Sequence, residues 1–282
     1  MRIALIGSSG FLGRNFLEFT SLDHEILEAS RSTGVDITRS TGVRDVIDFA
    51  PDVIVSLAGM VGVVSVESHA PGSALAANNE VALGVCEAAL GAKASVIHIG
   101  SYVYGSPDYL PVDELHPVRP NNFYALSKVT SDSVVEFFHN NYGLSAAILR
   151  PFNIFGRYQP ENYLLPSIVS QLRNSGCVLL DSLYSKRDHL WVGDLVSLVL
   201  QMALEGSSGF DIYNVGFGSS ISNYDVAKYV GLRFNNPVIR ASGFPRPREV
   251  GDCFADITKL QSRYKWSPSL SIYDYIDLMP IS

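Results

Sequence analysis

Three regularly spaced glycines that follow a short apolar run constrain the fold of this chain more than any other feature. The apolar run at residues 3–6 leads into GSSGFLG at residues 7–13, and a helix-like segment continues to about residue 20. Gly7 permits a tight turn off a strand, Gly10 lets the backbone approach a pyrophosphate, and Gly13 lets a helix pack closely on the strand. The N–H groups at the helix start then hold phosphates. The pattern predicts a nucleotide site, and the alternative is a glycine-rich turn without a ligand.

Strand-like and helix-like runs alternate through the first half of the chain. The strand-like runs lie at 2–6, 25–29, 52–57, 94–99 and 144–149, with helix-like runs near 11–20, 41–49, 72–90 and 123–140. This alternation predicts an α/β fold, a Rossmann-like doubly wound parallel sheet with helices on both faces. Ligands of such sheets bind beyond the carboxyl ends of the strands.

The second half of the chain has a looser pattern. Pro151 ends the fifth strand-like run, and glycine- and proline-containing stretches follow at 156–166, 206–220 and 235–251. We therefore expect a nucleotide-binding domain over 1–152. A smaller substrate-binding lobe over 153–282 is expected to interleave with the last strands of the sheet.

Composition excludes several classes of function. A net charge of −7 with 17% charged residues leaves no basic surface for nucleic acid. No apolar run approaches the roughly 20 residues that span a bilayer, and the apolar start belongs to a strand rather than to a signal peptide. The cysteines Cys86, Cys177 and Cys253 are odd in number and lack metal-type spacing. We expect reduced thiols in a cytoplasmic protein and no metal site.

Tyr124 and Lys128 are the candidate catalytic pair. They lie four residues apart in YALSK and so share one face of a helix. A phenol with a pKa of about 10 is a poor acid–base group at neutral pH, but a nearby cation can lower that pKa by about one to three units. Such a tyrosine can exchange a proton with a carbinol or carbonyl oxygen while hydride moves to or from a nicotinamide.

The same spacing recurs at Tyr224 and Lys228, which shows that spacing alone proves little. Ser222 is a plausible cap for that later helix, which we interpret as an ordinary surface helix. Tyr124 differs in context because it opens a helix between the fourth and fifth strand-like runs.

Several collinear segments together resemble the extended short-chain dehydrogenase/reductase family that acts on nucleotide-activated sugars. They are GSSGFLG (7–13), PDVIVSLAG (51–59), the helix of Asn78, VYG (103–105), YALSK (124–128), RPFNIFG (150–156), RDHLWVGDL (187–195), YNVG (213–216) and ADITKLQSRYKWSP (255–268). The resemblance implies an NAD(P)-binding Rossmann domain, a homodimer formed through the helices near 72–90 and 123–140, and a nucleotide-diphosphate-sugar substrate. The implied cofactor contacts are Gly7, Ser9, Gly10, Phe11, Leu12, Gly13, Arg31, Asp36, Ile37, Leu57, Ala58, Gly59, Asn78, Tyr124 and Lys128.

The chain departs from this family at Gly100. Members usually carry Ser or Thr three residues before the Val of VYG, where its hydroxyl bonds the reacting oxygen. Here Ser101 follows one residue later, and on a strand that shift points the hydroxyl to the other face unless alternation lapses. Three alternatives remain for the hydrogen bond to the reacting oxygen: Ser101 donates it, Tyr102 donates it, or Tyr124 works largely alone. The acid pair of the family's dehydratases is absent here, which disfavours dehydration.

The end of the second strand bears on the choice of cofactor. An acidic residue there would bind the ribose hydroxyls of NAD, whereas the segment EASRS offers Arg31 between two serines. A guanidinium with hydroxyls suits the 2′-phosphate of NADP(H), which we favour over NAD(H). A solvated arginine is the alternative.

On the substrate side, the resemblance points to Asn153, Arg187 and Arg248 near the substrate diphosphate, together with Ser101 and Tyr102. Arg187 can instead pair with Asp188 or Asp194, and Arg246 competes with Arg248 for its position. The leading hypothesis is NADPH-dependent reduction of a nucleotide-linked 4-keto-6-deoxyhexose. The alternatives are a nucleotide-sugar epimerase with tightly bound NAD, and a non-catalytic nucleotide-binding member.

Overall fold

The computed structural model describes residues 1–20, 23–59, 71–102, 104–206, 208–234, 237–243 and 249–280. In chain order the elements are β1 (Arg2–Ile6), α1 (Phe11–Phe19), β2 (Glu25–Ala29), α2 (Ser40–Phe49), β3 (Val53–Ser56), α3 (Pro71–Ala92), β4 (Ser95–Ile99), α4 (Phe123–Tyr142), β5 (Ala146–Pro151), β6 (Asn153–Phe155), α5 (Leu164–Ser175), β7 (Cys177–Leu180), β8 (Lys186–Trp191), α6 (Val192–Glu205), β9 (Phe210–Val215), β10 (Ser220–Ser222), α7 (Asn223–Gly231), β11 (Val238–Ala241), β12 (Asp252–Cys253), α8 (Thr258–Tyr264) and α9 (Ile272–Leu278). The predicted strands and helices of the first half agree with these bounds to within two residues.

The chain divides into two compact units. The first comprises Met1–Gly105, Pro117–Pro151 and Leu195–Asn214, and the second comprises Ser106–His116, Phe152–Asp194 and Val215–Ser282. The chain leaves the first unit for residues 106–116 and again after residue 151, and it returns for residues 195–214.

The first unit is built on a six-stranded sheet in the order β2-β1-β3-β4-β5-β9. Strands β1 to β5 pair in parallel. The predicted α/β fold with a doubly wound parallel sheet is confirmed. From β1 the sheet grows in both directions, to β2 on one side and to β3 on the other. The carboxyl ends of β1 and β3 therefore meet at the switch point where such sheets bind ligands.

The core of this unit lies where α2, α3 and α4 cover the sheet. Val46, Val85 and Val135, one from each helix, pack with sheet residues such as Ile54 and Ile148. The ends of α4 are well defined. The side chain of Asn122 accepts a hydrogen bond from the Ala125 amide at 2.7 Å, and Gly143 closes the helix in the left-handed conformation.

In the second unit, β8 lies between β10 and β12 and also pairs with β6, while β11 and β7 form a separate parallel pair. Its core packs α5, α7 and α9 together through residues such as Ile168, Val226 and Ile276. Ser222 caps α7 as predicted, since its side chain accepts from the Asp225 amide. Lys228 on α7 is exposed.

Two further properties follow from burial. Cys86 and Cys253 are buried, and burial raises the pKa of both thiols to about 12, which leaves them unreactive at neutral pH. Among the described helices, none combines the length and the apolar character needed to cross a bilayer.

A buried carboxylate organises the loops of the second unit. Asp188 on β8 accepts hydrogen bonds from the amides of Phe217, Gly218 and Ala255 at 2.7, 3.0 and 3.1 Å. A Cβ at Gly216 would lie 2.4 Å from its Oδ2 atom, so the backbone approaches closely only because that residue is glycine. Burial raises the pKa of Asp188 to about 6, while the three N–H donors favour the charged form.

We predict that Asp188→Asn destabilises the second unit. An amide group replaces one acceptor oxygen with a donor that faces backbone N–H groups, and each lost bond to a buried donor costs about 1–3 kcal/mol. The midpoint of denaturant unfolding measures the change. Asp48→Asn, the same substitution at an exposed position of α2, is the control and should change stability by no more than about 0.5 kcal/mol. Equal midpoints for the two variants would contradict this role for Asp188.

Candidate active site

The glycine loop between β1 and α1 has the backbone geometry that its sequence predicts. Gly7 has φ of +92°, and its amide donates to the carbonyl of Ala29 at 2.7 Å. Gly10 caps α1, and a Cβ at this position would lie 3.3 Å from the Gly7 carbonyl oxygen. A Cβ on Gly13 would lie 2.3 Å from the same oxygen, so α1 packs on the turn itself. The first turn of α1 carries no acidic side chain, which leaves the positive end of its dipole for an anion.

The segment after β3 joins this loop to α3 and α4. A Cβ on Gly7 would lie 2.7 Å from the amide nitrogen of Ala58, so the two backbones touch. Two residues after Leu57, Gly59 has φ of +155°, and a Cβ there would lie 2.9 Å from Asn78 Oδ1 and 3.5 Å from Lys128 Nζ. One continuous surface therefore includes four of the predicted cofactor contacts and ends at Lys128. These contacts are Gly7, Ala58, Gly59 and Asn78.

Asn78 is buried on α3 and connects it to the start of α4. Its Nδ2 donates to the hydroxyl of Ser127 at 2.8 Å, and that hydroxyl donates to the Tyr124 carbonyl oxygen at 2.8 Å. Tyr124 lies in the first turn of α4 and is half-buried. The sequence did not single out Ser127, which holds the backbone of the candidate catalytic tyrosine.

Lys128 is an ammonium group inside the protein. Its side chain is 4% exposed, and Nζ donates to the Ile99 carbonyl at the end of β4 at 3.0 Å. Burial lowers the pKa of Lys128, and the charge of Asp132 opposes that effect. The matching Lys228 is exposed on a surface helix, so burial separates the two pairs that sequence spacing made equal.

Gly100 has a structural reason to lack a side chain. A Cβ at this position would lie 2.7 Å from Oδ1 of Asp132, so a serine or threonine there would collide with a buried carboxylate. The sequence led us to expect that strand alternation lapses after Ile99. β4 ends at Ile99, although the amides of Gly100 and Tyr102 still donate to the carbonyls of Leu149 and Pro151. Ser101 between them is buried, and its role at the reacting oxygen stays a prediction.

The residues after β2 form a polar turn. The Ser30 hydroxyl lies 2.9 Å from that of Ser32, and Arg31 between them is exposed. Asp36 accepts from the Thr38 amide and hydroxyl and pairs with Arg39 at 3.5 Å. The Thr38 hydroxyl bond is the main cause that lowers the pKa of Asp36. Ile37 is buried, and its carbonyl leaves no room for a side chain at Gly84 of α3.

The first unit therefore suits a dinucleotide. The backbone around Gly10 is open to a phosphate, the polar turn at Arg31 follows the next strand, and Asn78 and Lys128 lie at the far end of the same surface. Ser9, Phe11 and Leu12 belong to this loop and helix start. In a nicotinamide dinucleotide the pyrophosphate lies between the adenosine ribose and the reactive ring, which matches a glycine loop between the polar turn at Arg31 and Lys128.

The predicted substrate contacts lie in the second unit, except Ser101 and Tyr102. Asn153 on β6 donates to the Asp188 carbonyl at 3.2 Å. Arg187 donates to the Val250 carbonyl at 2.6 Å and pairs with Glu249. Arg187 is thus ion-paired, as the alternative expected, but its partner is Glu249 rather than Asp188 or Asp194.

Arg246 and Arg248 lie outside the described residues. Their competition for one position near the substrate diphosphate stays a prediction.

Sequence reasoning missed a buried polar cluster beside Lys128. Asp132, one turn along α4, accepts from Arg150 Nε at 3.0 Å. Arg150 also lies against Tyr104, whose hydroxyl donates to Asn214 Oδ1 at 2.6 Å. The position of Asp132 four residues after Lys128 was the available signal, but only the fold brings Arg150 and Asn214 to it.

The chain is similar to known proteins in sequence and in fold. A family model described as the NAD dependent epimerase/dehydratase family matches residues 3–216. The chain is 33% identical over 184 residues to a putative UDP-glucose 4-epimerase of Methanocaldococcus jannaschii, which covers 63% of this chain and 58% of the relative. It is 26% identical over 182 residues to dTDP-4-dehydro-6-deoxyglucose reductase of Escherichia coli, and this alignment covers 63% of this chain and 57% of that relative. The match thus spans less than two thirds of the length of these relatives.

Among solved structures, that of RMD from Pseudomonas aeruginosa complexed with NADPH is similar in fold. The TM-score is 0.88 at 22% sequence identity, and the alignment covers 98% of this chain and 96% of that one.

Proposed function

The chain belongs to the NAD dependent epimerase/dehydratase family, and we propose that it is an NADPH-dependent reductase of a nucleotide-linked 4-keto-6-deoxyhexose. The resemblance to extended short-chain dehydrogenases/reductases is thereby confirmed. The observation that carries the catalytic part of the proposal is the buried ammonium of Lys128, one helical turn from Tyr124 and continuous with the glycine loop through Asn78 and Gly59.

Tyr124 is the proposed proton donor. The cofactor, when bound, supplies the hydride, and the chain supplies the proton that the new carbinol oxygen needs. Lys128 stabilises the phenolate that remains, because an ammonium close to a phenol favours its charged form. Ser127 and Asn78 hold the first turn of α4 so that the phenol and the ammonium keep their relation. Ser101 is the hydroxyl proposed to bind the reacting oxygen, with Tyr102 as its alternative.

The choice of a reductase rests on the cofactor. Arg31 and the hydroxyls of Ser30 and Ser32 form a donor set that suits a phosphate monoester, with no carboxylate at the end of β2 to repel it. A reductase exchanges its cofactor at each turnover, whereas an epimerase returns the hydride to the same substrate and keeps NAD. The E. coli relative is named a reductase, and the P. aeruginosa structure contains NADPH.

Two other functions compete with this proposal. The M. jannaschii relative is named an epimerase, and an epimerase would retain a nicotinamide absorbance after gel filtration. A non-catalytic member would bind cofactor and turn over none of a panel of nucleotide-linked 4-ketosugars. Stoichiometric oxidation of NADPH by one member of that panel identifies the reductase.

The second unit contributes the proposed substrate contacts. We place Asn153, Arg187 and Arg248 near the diphosphate, because paired cationic donors suit its charge. Since Arg187 is paired with Glu249, the diphosphate would have to compete with that carboxylate for the guanidinium.

Helices α3 and α4 are the proposed dimer interface. They pack against each other within the first unit, and each exposes a large apolar side chain, Leu83 at 42% and Phe137 at 54%. The charged residues Glu80 and Glu87 flank Leu83 on the same exposed stripe of α3. Two copies paired through these helices would form a four-helix bundle that covers both apolar residues.

The first prediction concerns the cofactor. NADPH should bind at least about tenfold more tightly than NADH, since a charge-assisted contact is worth about 1.5–3 kcal/mol, and Arg31→Asp should narrow or invert that ratio. Fluorescence titration of both cofactors measures it. Arg44→Asp, the same charge change at an exposed position of α2, should leave the ratio unchanged. Equal affinities of the unmodified protein for NADPH and NADH would contradict the NADPH assignment.

The second prediction concerns proton transfer. Tyr124→Phe should lower kcat by about 10²–10⁴-fold, the usual effect of a positioned acid, while NADPH still binds. Lys128→Met should reduce both turnover and cofactor affinity, and Ser101→Ala should reduce kcat by about tenfold, the worth of one hydrogen bond to a developing charge. Tyr224→Phe, in the matching motif whose lysine is exposed, is the control. Full activity in Tyr124→Phe would overturn the mechanism, and full activity in Ser101→Ala would remove Ser101 from it.

The third prediction is a homodimer. Light scattering at micromolar concentration should give twice the mass of the chain, and Leu83→Lys on α3 should shift the mass toward a monomer by replacing an apolar contact of the bundle with a charged side chain that must lose its water. Leu204→Lys changes a comparably exposed leucine on α6 and should leave the dimer intact. A monomeric mass for the unmodified protein would rule against the interface.

A further inference from the structure

Lys128 belongs to a cluster of buried charged side chains, and the proton transfer proposed for Tyr124 and Lys128 does not by itself explain the other members. Lys128, Asp132 and Arg150 are 4, 4 and 6% exposed. Isolated charges at such sites would lose their charge, because water no longer solvates them. The arrangement of these groups therefore decides which of them stays charged.

Two described groups act on the Lys128 ammonium, the Ile99 carbonyl and the Asp132 carboxylate. Its Nζ donates to the Ile99 carbonyl, which is a neutral partner. Asp132, one helical turn away on the same face of α4, is the carboxylate whose charge acts on it. The other titratable groups around Asp132 are His98 on β4, Arg150 on β5 and Glu136 on α4, and Glu136 is exposed.

The two oxygens of Asp132 have different surroundings. Oδ2 accepts from Arg150 Nε at 3.0 Å, which orients the carboxylate. Oδ1 has no hydrogen-bond partner among the described residues, and neither ring nitrogen of His98, 3.8 Å away at Nε2, has one. Oδ1 occupies the space that a side chain at position 100 would fill. The glycine thus makes room for a carboxylate oxygen that has no hydrogen-bond donor in the described part of the chain.

We propose that Asp132, whose carboxylate occupies the space that Gly100 leaves open, is a positioning residue for the reaction: it supplies the buried negative charge that keeps the Lys128 ammonium protonated beside Tyr124. The inference rests on the proposed function, since it assigns Asp132 a role through the same lysine. Arg150 holds Asp132 in place, and Tyr104 and Asn214 in turn hold Arg150.

The charge states at neutral pH agree with this role. Burial raises the pKa of Asp132 to about 6, with Arg150 and Lys128 opposing that rise, so the carboxylate is charged at neutral pH. Burial lowers the pKa of His98 to about 3, so this histidine is neutral and does not compete for the carboxylate. As the pH falls below about 6, Asp132 takes up a proton and Lys128 loses its counter-charge.

The test measures the protonation of Lys128 directly and apart from turnover. In protein labelled with ¹³C-lysine, the Cε resonance that disappears in Lys128→Met belongs to Lys128, and its pH titration gives the pKa. Asp132→Asn should lower that pKa by about one to three units, the effect of one opposite charge at close range. The alkaline limb of kcat/KM should move to lower pH by the same amount. Asp132→Glu, which keeps the charge, should restore both values at least in part.

Glu136→Gln removes a carboxylate one turn further along α4, at an exposed position, and should change neither value. If Asp132→Asn does not fold, Asp132→Leu/Arg150→Met removes both buried charges together, a change that proteins tolerate, and should still lower the pKa of Lys128. An unchanged Lys128 pKa in a folded variant would overturn the proposal, whatever reaction the enzyme catalyses. If the Lys128 pKa falls in the Asp132 variant but the unmodified protein reduces no ketosugar, the role of Asp132 holds and the result contradicts only the proposed function.

Discussion

The site of the first unit depends on the close approach of backbone segments at the carboxyl ends of β1 and β3. Gly7 lies so near Ala58 that a Cβ would be 2.7 Å from its amide nitrogen, and Gly13 lies as near to the turn that precedes its helix. Side chains at these positions would push the loop and the N-terminus of α1 off the sheet. Gly59 extends the same constraint to Asn78 and Lys128. Steric exclusion of side chains therefore aligns the glycine loop with α4.

Charge burial is the second constraint. Removing one partner of a buried ion pair costs roughly 3–5 kcal/mol, because the other charge stays desolvated. Asp132 and Arg150 satisfy each other, and Asp132 also compensates Lys128. A group held this way keeps its charge where water cannot reach it, which acid–base chemistry at neutral pH requires. The collision at Gly100 shows that this arrangement takes the space that a serine or threonine side chain would need at that position.

Two neighbouring charged residues of β8 in the second unit have different surroundings. Asp188 is fully buried and binds three backbone amides, so it fixes loops. Arg187, next to it on β8, points the other way by strand alternation and pairs with Glu249. The sequence segment RDHLW presents both charges alike, and only their surroundings distinguish a structural carboxylate from a guanidinium that a diphosphate could recruit.

Local pattern determined much of this protein. Apolar periodicity and glycine spacing placed the strands and helices of the first half, and the α/β fold followed, because these signals arise within a few residues and require no knowledge of neighbours. The identity of the candidate pair, Tyr124 and Lys128, also came from sequence context. Tertiary structure alone decided that Lys128 is buried while Lys228 is exposed, that Gly100 is empty because Asp132 fills its space, and that Arg187 meets Glu249. Each of these depends on groups far apart in the chain, such as Arg150 against Asp132 on another element, and on the loss of water around them, which no local pattern records.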